Sequence, residues 1–164
     1  MIRSAEPDDI KAIAAIYNYY ITDTVVSFEE TPVAVDEMKV RVNKVLLAGF
    51  PWLVAVEGGD VIGYAYACQW NTRTAYKYSA EVSVYLSRAH VSKGWGTRLY
   101  DKLFEELKSG SVHTVIGGVA LPNPASVALH EKFGMEKVAH YKEVGYKFGR
   151  WIDVGYWQKK ISAG

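Results

Sequence analysis

The stretch Val84-Tyr85-Leu86-Ser87-Arg88-Ala89-His90-Val91-Ser92-Lys93-Gly94-Trp95-Gly96-Thr97-Arg98 decides how this chain is read. An apolar run of β character stops, a short basic loop follows, and two glycines open a helix predicted from Trp95 to Lys108. The first turn of a helix leaves backbone N–H groups unpaired and carries the positive end of the helix dipole. Glycines let an anion approach those amides closely, so a pyrophosphate is the natural guest of such a turn. Lys93 and Arg98 bracket it and add positive charge. The same glycine pair also suits an ordinary tight turn, so the rest of the chain has to decide.

Working outward, Pro7 suits the first position of a helix, and Asp8 and Asp9 complement its dipole. Ile10, Ile13, Ala14, Tyr17 and Tyr20 then fall on one helical stripe. A second helix follows Thr31-Pro32 and runs to Ala48, ended by Gly49. Trp52 to Glu57 reads as a strand, with Gly58-Gly59-Asp60 as a hairpin turn into Val61 to Cys68. Tyr78 to Leu86 and Val112 to Ala120 are two further strands, and Leu121-Pro122-Asn123-Pro124 breaks the chain before a short helix from Ala125 to Phe133. Glu136 to Val144 and Trp151 to Lys160 are the last strands. The pattern is α+β, a mixed class with a central sheet covered by helices. No repeat or linker-like stretch divides residues 1–164, which are expected to form a single domain.

Composition excludes several classes of function. A net charge of +1 without long runs of one sign argues against a nucleic-acid surface or a polybasic membrane anchor. No apolar run reaches the length of a membrane span, and the N-terminus lacks the apolar core of a signal peptide, so a cytoplasmic location is expected. One cysteine rules out an intrachain disulfide and a cysteine-rich zinc site; no metal is expected. Cys68 itself reads as a small core filler, since no activating partner lies near it in sequence. Five tryptophans and twelve tyrosines suit large packing anchors or a cleft lined with rings.

The order of elements, the Gly94-x-Gly96 loop after a strand, and Asn123-x-x-Ser126 opening a later helix resemble the GNAT superfamily of acetyl-CoA-dependent N-acetyltransferases. More narrowly, the chain resembles the phosphinothricin and methionine-sulfoximine acetyltransferases. That match is carried by Tyr19-Tyr20-Ile21 with Thr24-Val25-Val26-Ser27-Phe28, by Phe50-Pro51-Trp52-Leu53-Val54-Ala55 and by Tyr76-x-Tyr78-Ser79-Ala80-Glu81-Val82-Ser83-Val84-Tyr85. It continues through Leu121-Pro122-Asn123-Pro124-x-Ser126-Val127-x-Leu129-His130-Glu131-Lys132-Phe133-Gly134 and Gly149-Arg150-Trp151-x-Asp153-Val154-Gly155-Tyr156-Trp157-Gln158, nearly end to end.

The resemblance implies a mostly antiparallel sheet of about seven strands, splayed near its middle. The pantetheine arm of acetyl-CoA would pair there like an extra strand with backbone groups around Val84 and Leu86. The pyrophosphate would sit on the amides of Lys93, Gly94, Trp95, Gly96, Thr97 and Arg98. Many relatives carry Gln-Arg or Arg-Arg where this chain has Val91-Ser92, so two side-chain phosphate contacts are absent here. The resemblance also implies a homodimer with the acceptor site near the interface.

Acetyl transfer to an amine needs a base to remove a proton from the ammonium form and support for the departing thiolate. Glu81 is the only charged residue in the run from Tyr78 to Leu86, and alternation puts it on one face with Ser83 and Tyr85. Such a carboxylate is a candidate base whose pKa burial would raise, or a structural salt-bridge residue; the family match favours the base. His130 lies one helical turn past Ser126, where most of the superfamily has Tyr and the phosphinothricin-type relatives have His. It is assigned a role near the thiol, as acid or auxiliary base. Asn123 would hydrogen-bond the pantetheine arm, and Ser126 would cap its helix or touch the cofactor.

An amino-acid analogue with a compact polar tail needs a cation for its carboxylate, preferably arginine, and donors for the tail. Arg73 with Tyr76 is the expected source, and Phe28 and Val154-Gly155-Tyr156-Trp157 are expected walls, although each also reads as a loop or core residue. The expected acceptor is therefore a small amino-acid-like amine. A protein or peptide N-terminal acetyltransferase and a non-catalytic acyl-CoA-binding domain remain alternatives.

Overall fold

The computed structural model describes residues 1–162. Strand β1 (Ile2–Ser4) leads through a 3-10 turn at Pro7–Asp9 into α1 (Ile10–Asp23), and α2 (Val35–Leu47) follows. The hairpin β2 (Trp52–Glu57) and β3 (Asp60–Gln69) leads to β4 (Ser79–Leu86), then α3 (Trp95–Lys108), β5 (Thr114–Leu121) and α4 (Pro124–Lys132). The strands β6 (Glu136–Lys147) and β7 (Arg150–Lys160) complete the order.

The sheet runs β1-β2-β3-β4-β5-β7-β6, antiparallel except between β4 and β5. That parallel pair is short, holding only from Ser79 opposite Thr114 to Glu81 opposite Ile116. On its other side β4 stays paired with β3 as far as Leu86 opposite Gly63. Beyond Glu81 the two central strands therefore part, and the sheet opens into a V.

Two cores flank the sheet. Trp52, Val54 and Tyr64 pack with α1 and α2, through Ile10, Ile13, Met38 and Val42. Leu53, Ala55, Ala65 and Val82 pack on the other side with Leu99, Leu103 and Phe104 of α3. Strands covered on both faces lose the inside–outside alternation, which is why β2 reads as an unbroken apolar run.

The α3 boundaries fall where the glycine pair put them, because Gly94 takes the left-handed conformation (φ 85°) that caps the helix start. At the N-terminus Arg3 grips the buried Asp9 carboxylate with two hydrogen bonds of 2.7 and 3.0 Å, and the Glu6 amide donates to the same group. That clasp tightens Pro7–Asp9 into a 3-10 turn, so α1 begins at Ile10 rather than Pro7. Its buried residues include Ile16 and Ile21, while Tyr17 and Tyr20 of the expected stripe are half-buried and turn toward the mouth of the V. Strand β1 carries no turn signal or length to announce it. It exists because Ile2 to Ser4 add to the edge of β2.

Candidate active site

The opening between β4 and β5 is lined by two cavities that meet at a narrow junction. One, of about 470 Å³, lies between the end of β4, the loop before α3 and helix α4. Val84, Leu86, Ser92, Gly94, Gly96, Thr97, Asn123 and Ser126 line it. The second, of about 510 Å³, lies on the α1 side and is walled by Glu81, Ser83 and Tyr85 of β4, Val154 and Tyr156 of β7, and the segment Val26–Glu29. The junction is bounded by Ser83, Tyr85, Tyr100, Gly118 and His130.

Glycine opens the first cavity. Gly94 leads the chain into α3 with the N–H groups of Trp95, Gly96 and Thr97 free of intrahelical partners, the Arg98 amide being the first to pair, with Gly94. The side chains behave differently from their backbones. Trp95 is buried beneath the turn, Arg98 stacks over its ring at 4.1 Å, and neither they nor Lys93 line the cavity. The cation beside the amides is instead Lys132 of α4, whose Nζ lies 3.5 Å from the Thr97 hydroxyl.

Across the junction, Glu81 occupies the last paired position before β4 leaves β5, so its carboxyl faces the second cavity beside Ser83 and Tyr85. Burial holds its pKa above the ordinary carboxylate value. His130 is buried, with Nδ1 2.6 Å from the Ser126 carbonyl oxygen. A carbonyl only accepts, so Nδ1 carries the proton and Nε2 presents a lone pair, 3.5 Å from the Tyr100 hydroxyl. Burial also lowers the imidazole pKa, favouring this neutral form. Gly117 on β5 makes room for the ring: a Cβ there would stand 2.5 Å from Nε2.

A matching model of the "Acetyltransferase (GNAT) domain" spans residues 2–155, nearly the whole of this arrangement. The chain belongs to the GNAT acetyltransferase family. It is 39% identical over 164 residues to phosphinothricin N-acetyltransferase of Alcaligenes faecalis, covering 99% of this chain and 83% of that protein. It is 34% identical to the L-methionine sulfoximine/L-methionine sulfone acetyltransferase of Salmonella typhimurium, covering 98% and 94% of the two. Among solved structures, a GNAT superfamily phosphinothricin acetyltransferase from Sinorhizobium meliloti in complex with AcCoA superposes with a TM-score of 0.97 at 34% identity, covering 100% and 89%. A ribosomal-protein-alanine N-acetyltransferase from Brucella melitensis superposes with a TM-score of 0.95 at 36% identity, covering 98% and 99%.

Several residues singled out in the sequence line this GNAT cleft: Glu81 and His130 flank the junction, Val84, Leu86, Gly94, Gly96, Thr97, Asn123 and Ser126 the first cavity, and Phe28, Val154 and Tyr156 the second. Four details differ from expectation. Asn123 uses one lone pair of its Oδ1 to cap α4 through the Ser126 amide, at 3.1 Å, so its amide nitrogen is the group with no capping role. The Leu86 carbonyl accepts a hydrogen bond from the Tyr20 hydroxyl, so one of its lone pairs is already used. Arg73 and Tyr76 sit on an exposed 3-10 turn and line neither cavity. Alternation along β7 also sends Trp157 into the α3 core while Tyr156 faces the cleft, which removes Trp157 from the walls.

Sequence reasoning missed Tyr17, Ser27 and Glu29, which form one side of the second cavity. Arg41 of α2 holds Glu29 with paired hydrogen bonds of 2.8 and 2.7 Å, and Tyr17 bonds both Glu29 and, at 2.9 Å, the Ser27 hydroxyl. Buried Lys147 donates to the Ser27 carbonyl at 2.6 Å. The available signal was two tyrosines interrupting the aliphatic stripe of α1, since a hydroxyl in a buried stripe needs a polar partner.

Proposed function

We propose that this chain transfers the acetyl group of acetyl-CoA to the α-amine of a small amino-acid analogue of the phosphinothricin, methionine sulfoximine or methionine sulfone type. The observation that carries the reading is the parting of β4 from β5 directly after Glu81, which joins an anion-accepting groove to a polar, ring-lined cavity. The first groove suits acetyl-CoA: free amides at the start of α3 and Lys132 for phosphate, and the unpaired edge of β4 from Val84 to Leu86 for an amide-bearing arm. Bound there, acetyl-CoA supplies an acetyl thioester; no protein nucleophile is needed, and transfer is direct.

Glu81 acts as general base. Its carboxyl, raised by burial, is a stronger proton acceptor toward an ammonium group than an ordinary carboxylate. His130 contributes as a neutral acceptor at Nε2, tied to the Tyr100 hydroxyl, and not as the acid that protonates the thiolate, because its one proton is committed to Ser126. Phe28, Val154 and Tyr156 enclose the acceptor. Arg73 and Tyr76 would meet the acceptor carboxylate at the rim: Trp70, at the base of their loop, packs edge-on against Tyr156 with ring centroids 5.5 Å apart.

A cytoplasmic homodimer is the expected working form. No helix among the described residues is long and apolar enough to cross a membrane. The edge strand β6 and its hairpin with β7 expose Tyr146, Phe148 and Trp151, an apolar face that a second copy would cover. The likeness to the ribosomal-protein-alanine enzyme favours a second reading, N-terminal acetylation of a protein.

The deciding experiment is thiol release from acetyl-CoA with L-phosphinothricin, L-methionine sulfoximine, L-methionine sulfone, plain amino acids and alanine-terminated peptides. Saturable turnover of the analogues supports the proposal. Turnover of peptides alone moves the enzyme to the second reading, and acetyl-CoA binding without turnover leaves a non-catalytic domain.

A further inference from the structure

The proton arrangement of Ser27, Tyr17 and Glu29 is fixed by chemistry. Glu29 is ionised, since its carboxylate is clasped by the Arg41 guanidinium. Tyr17, which touches that carboxylate, must therefore spend its single proton on Glu29. The Ser27 hydroxyl, 2.9 Å from the Tyr17 oxygen, must then donate to it, while accepting the Glu29 amide at 3.2 Å. Every proton in the chain Ser27 to Tyr17 to Glu29 points away from the cavity, which receives only lone pairs.

The wall is also rigid. The Lys147 ammonium, 3% exposed, pins the Ser27 carbonyl, and Phe28 packs against β6 so tightly that a Cβ on Gly145 would lie 2.5 Å from its ring. Among the described residues that line this cavity there is no lysine or arginine. A carboxylate or other anion finds no donor at this wall, whereas a group bearing N–H finds a fixed acceptor.

We infer that the Tyr17–Glu29 wall selects the acceptor's tail: it takes a tail that donates an N–H and turns away one that only accepts. The inference rests on the proposed function and deepens it. With the α-amine at Glu81, an analogue can direct either its carboxylate or its tail toward Tyr17. The wall rejects the carboxylate and so orients the molecule. Methionine sulfoximine and methionine sulfone differ in one group, the sulfoximine carrying N–H where the sulfone carries a second oxygen. The sulfoximine donates to the Tyr17–Glu29 pair, and the sulfone brings two oxygens to a surface with nothing to offer them. The anionic phosphinate of phosphinothricin is the worst match. The order of preference is sulfoximine, then sulfone, then phosphinothricin.

The test is the ratio of kcat/KM for L-methionine sulfoximine to that for L-methionine sulfone, measured on the same enzyme sample so that any inactive fraction cancels. A single gained hydrogen bond against an unpaired contact predicts a ratio of about ten or more in the unaltered enzyme. Tyr17→Phe removes the acceptor and should bring the ratio toward one. Glu29→Gln places an amide that also donates, and should bring it to one or below. A ratio near one in the unaltered enzyme, or one that survives both substitutions, overturns the inference; the latter is what a wall holding the α-amine would give, since both substrates would suffer alike. Equal turnover of the two compounds refutes only this inference. Turnover of neither refutes this inference, and if L-phosphinothricin is not turned over either, with acetyl-CoA still bound, the proposed function falls along with it.

Discussion

A single carboxyl group at the mouth of the splay carries the chemistry proposed here. Glu81 is raised by burial, so its acid limb should appear above the ordinary carboxylate range. The ionised form is the base, and kcat/KM should therefore fall as pH drops through that raised value and level off above it. Glu81→Gln should lower turnover about 10²- to 10⁴-fold near pH 7 while leaving acetyl-CoA binding intact. The variant's residual rate should climb with pH as more of the amine is free. Stopped thiol-release assays across pH, beside a titration of acetyl-CoA binding, check both parts; equal rates for the two proteins would remove Glu81 from the mechanism. His130 was legible in the sequence by position, but its proton state was not. The Ser126 carbonyl that decides it becomes a partner only when α4 is wound, one turn earlier on the same helix.

Among elements, α3 was the most legible and the walls of the acceptor cavity the least. A glycine that alone tolerates a positive φ, followed by an amphipathic run, is a local signal, and the helix begins at Trp95 as read. Gly94→Ala meets no neighbouring atom, so its cost is conformational, about 1 kcal/mol or more. If the loop moves to relieve that strain, acetyl-CoA should bind roughly fivefold more weakly, the equivalent of that energy, with the amine KM unchanged. Isothermal titration with acetyl-CoA measures it. The acceptor wall, by contrast, is assembled from α1, the 24–34 segment, α2 and β6, whose Tyr17, Glu29, Arg41 and Lys147 lie up to 130 positions apart in the chain (from 17 to 147). No spacing rule joins such residues. Tyr17 was assigned to the core stripe because periodicity reports which face a residue occupies, and this face is half core and half cavity. Arg73 is a case between: its residue type suits a carboxylate ligand, but it stands on the exposed loop before the turn at Thr74–Tyr76, at the rim and not among the residues that line the cavity.

At the scale of the molecule, the fold was implied by the whole pattern of strands and helices, and by resemblance where the splay was concerned. What the pattern could not give was the short edge strand β1 and the clasp that follows it. Asp9 is raised by its burial, yet the Arg3 guanidinium and the Glu6 amide together outweigh this and hold it below its ordinary value. Arg3→Ala takes both guanidinium donors from a buried carboxylate and leaves it the Glu6 amide, a loss of about 1–3 kcal/mol. At this chain length that is a fall in melting temperature of roughly 2–10 °C. A depressed carboxyl stabilises above its unfolded pKa and loses that contribution as pH falls through its folded one. The gap between the two proteins in thermal melts should accordingly be full at neutral pH and close in acid.

Strand β4 is zipped to β3 along its length but to β5 only as far as Glu81. Its second half therefore has a permanent neighbour on one side and open hydrogen-bonding groups on the other. Those alternate amides are free to exchange with deuterium, whereas the amides of Ser79 to Glu81 are shielded on both sides. A ligand arm that bonds to this edge writes its presence into the exchange rates: Val82 to Leu86 should become protected in its company while the first half of the strand reads the same throughout. The sheet thus holds its own occupancy gauge, and one strand measured with and without acetyl-CoA registers whether the V is filled.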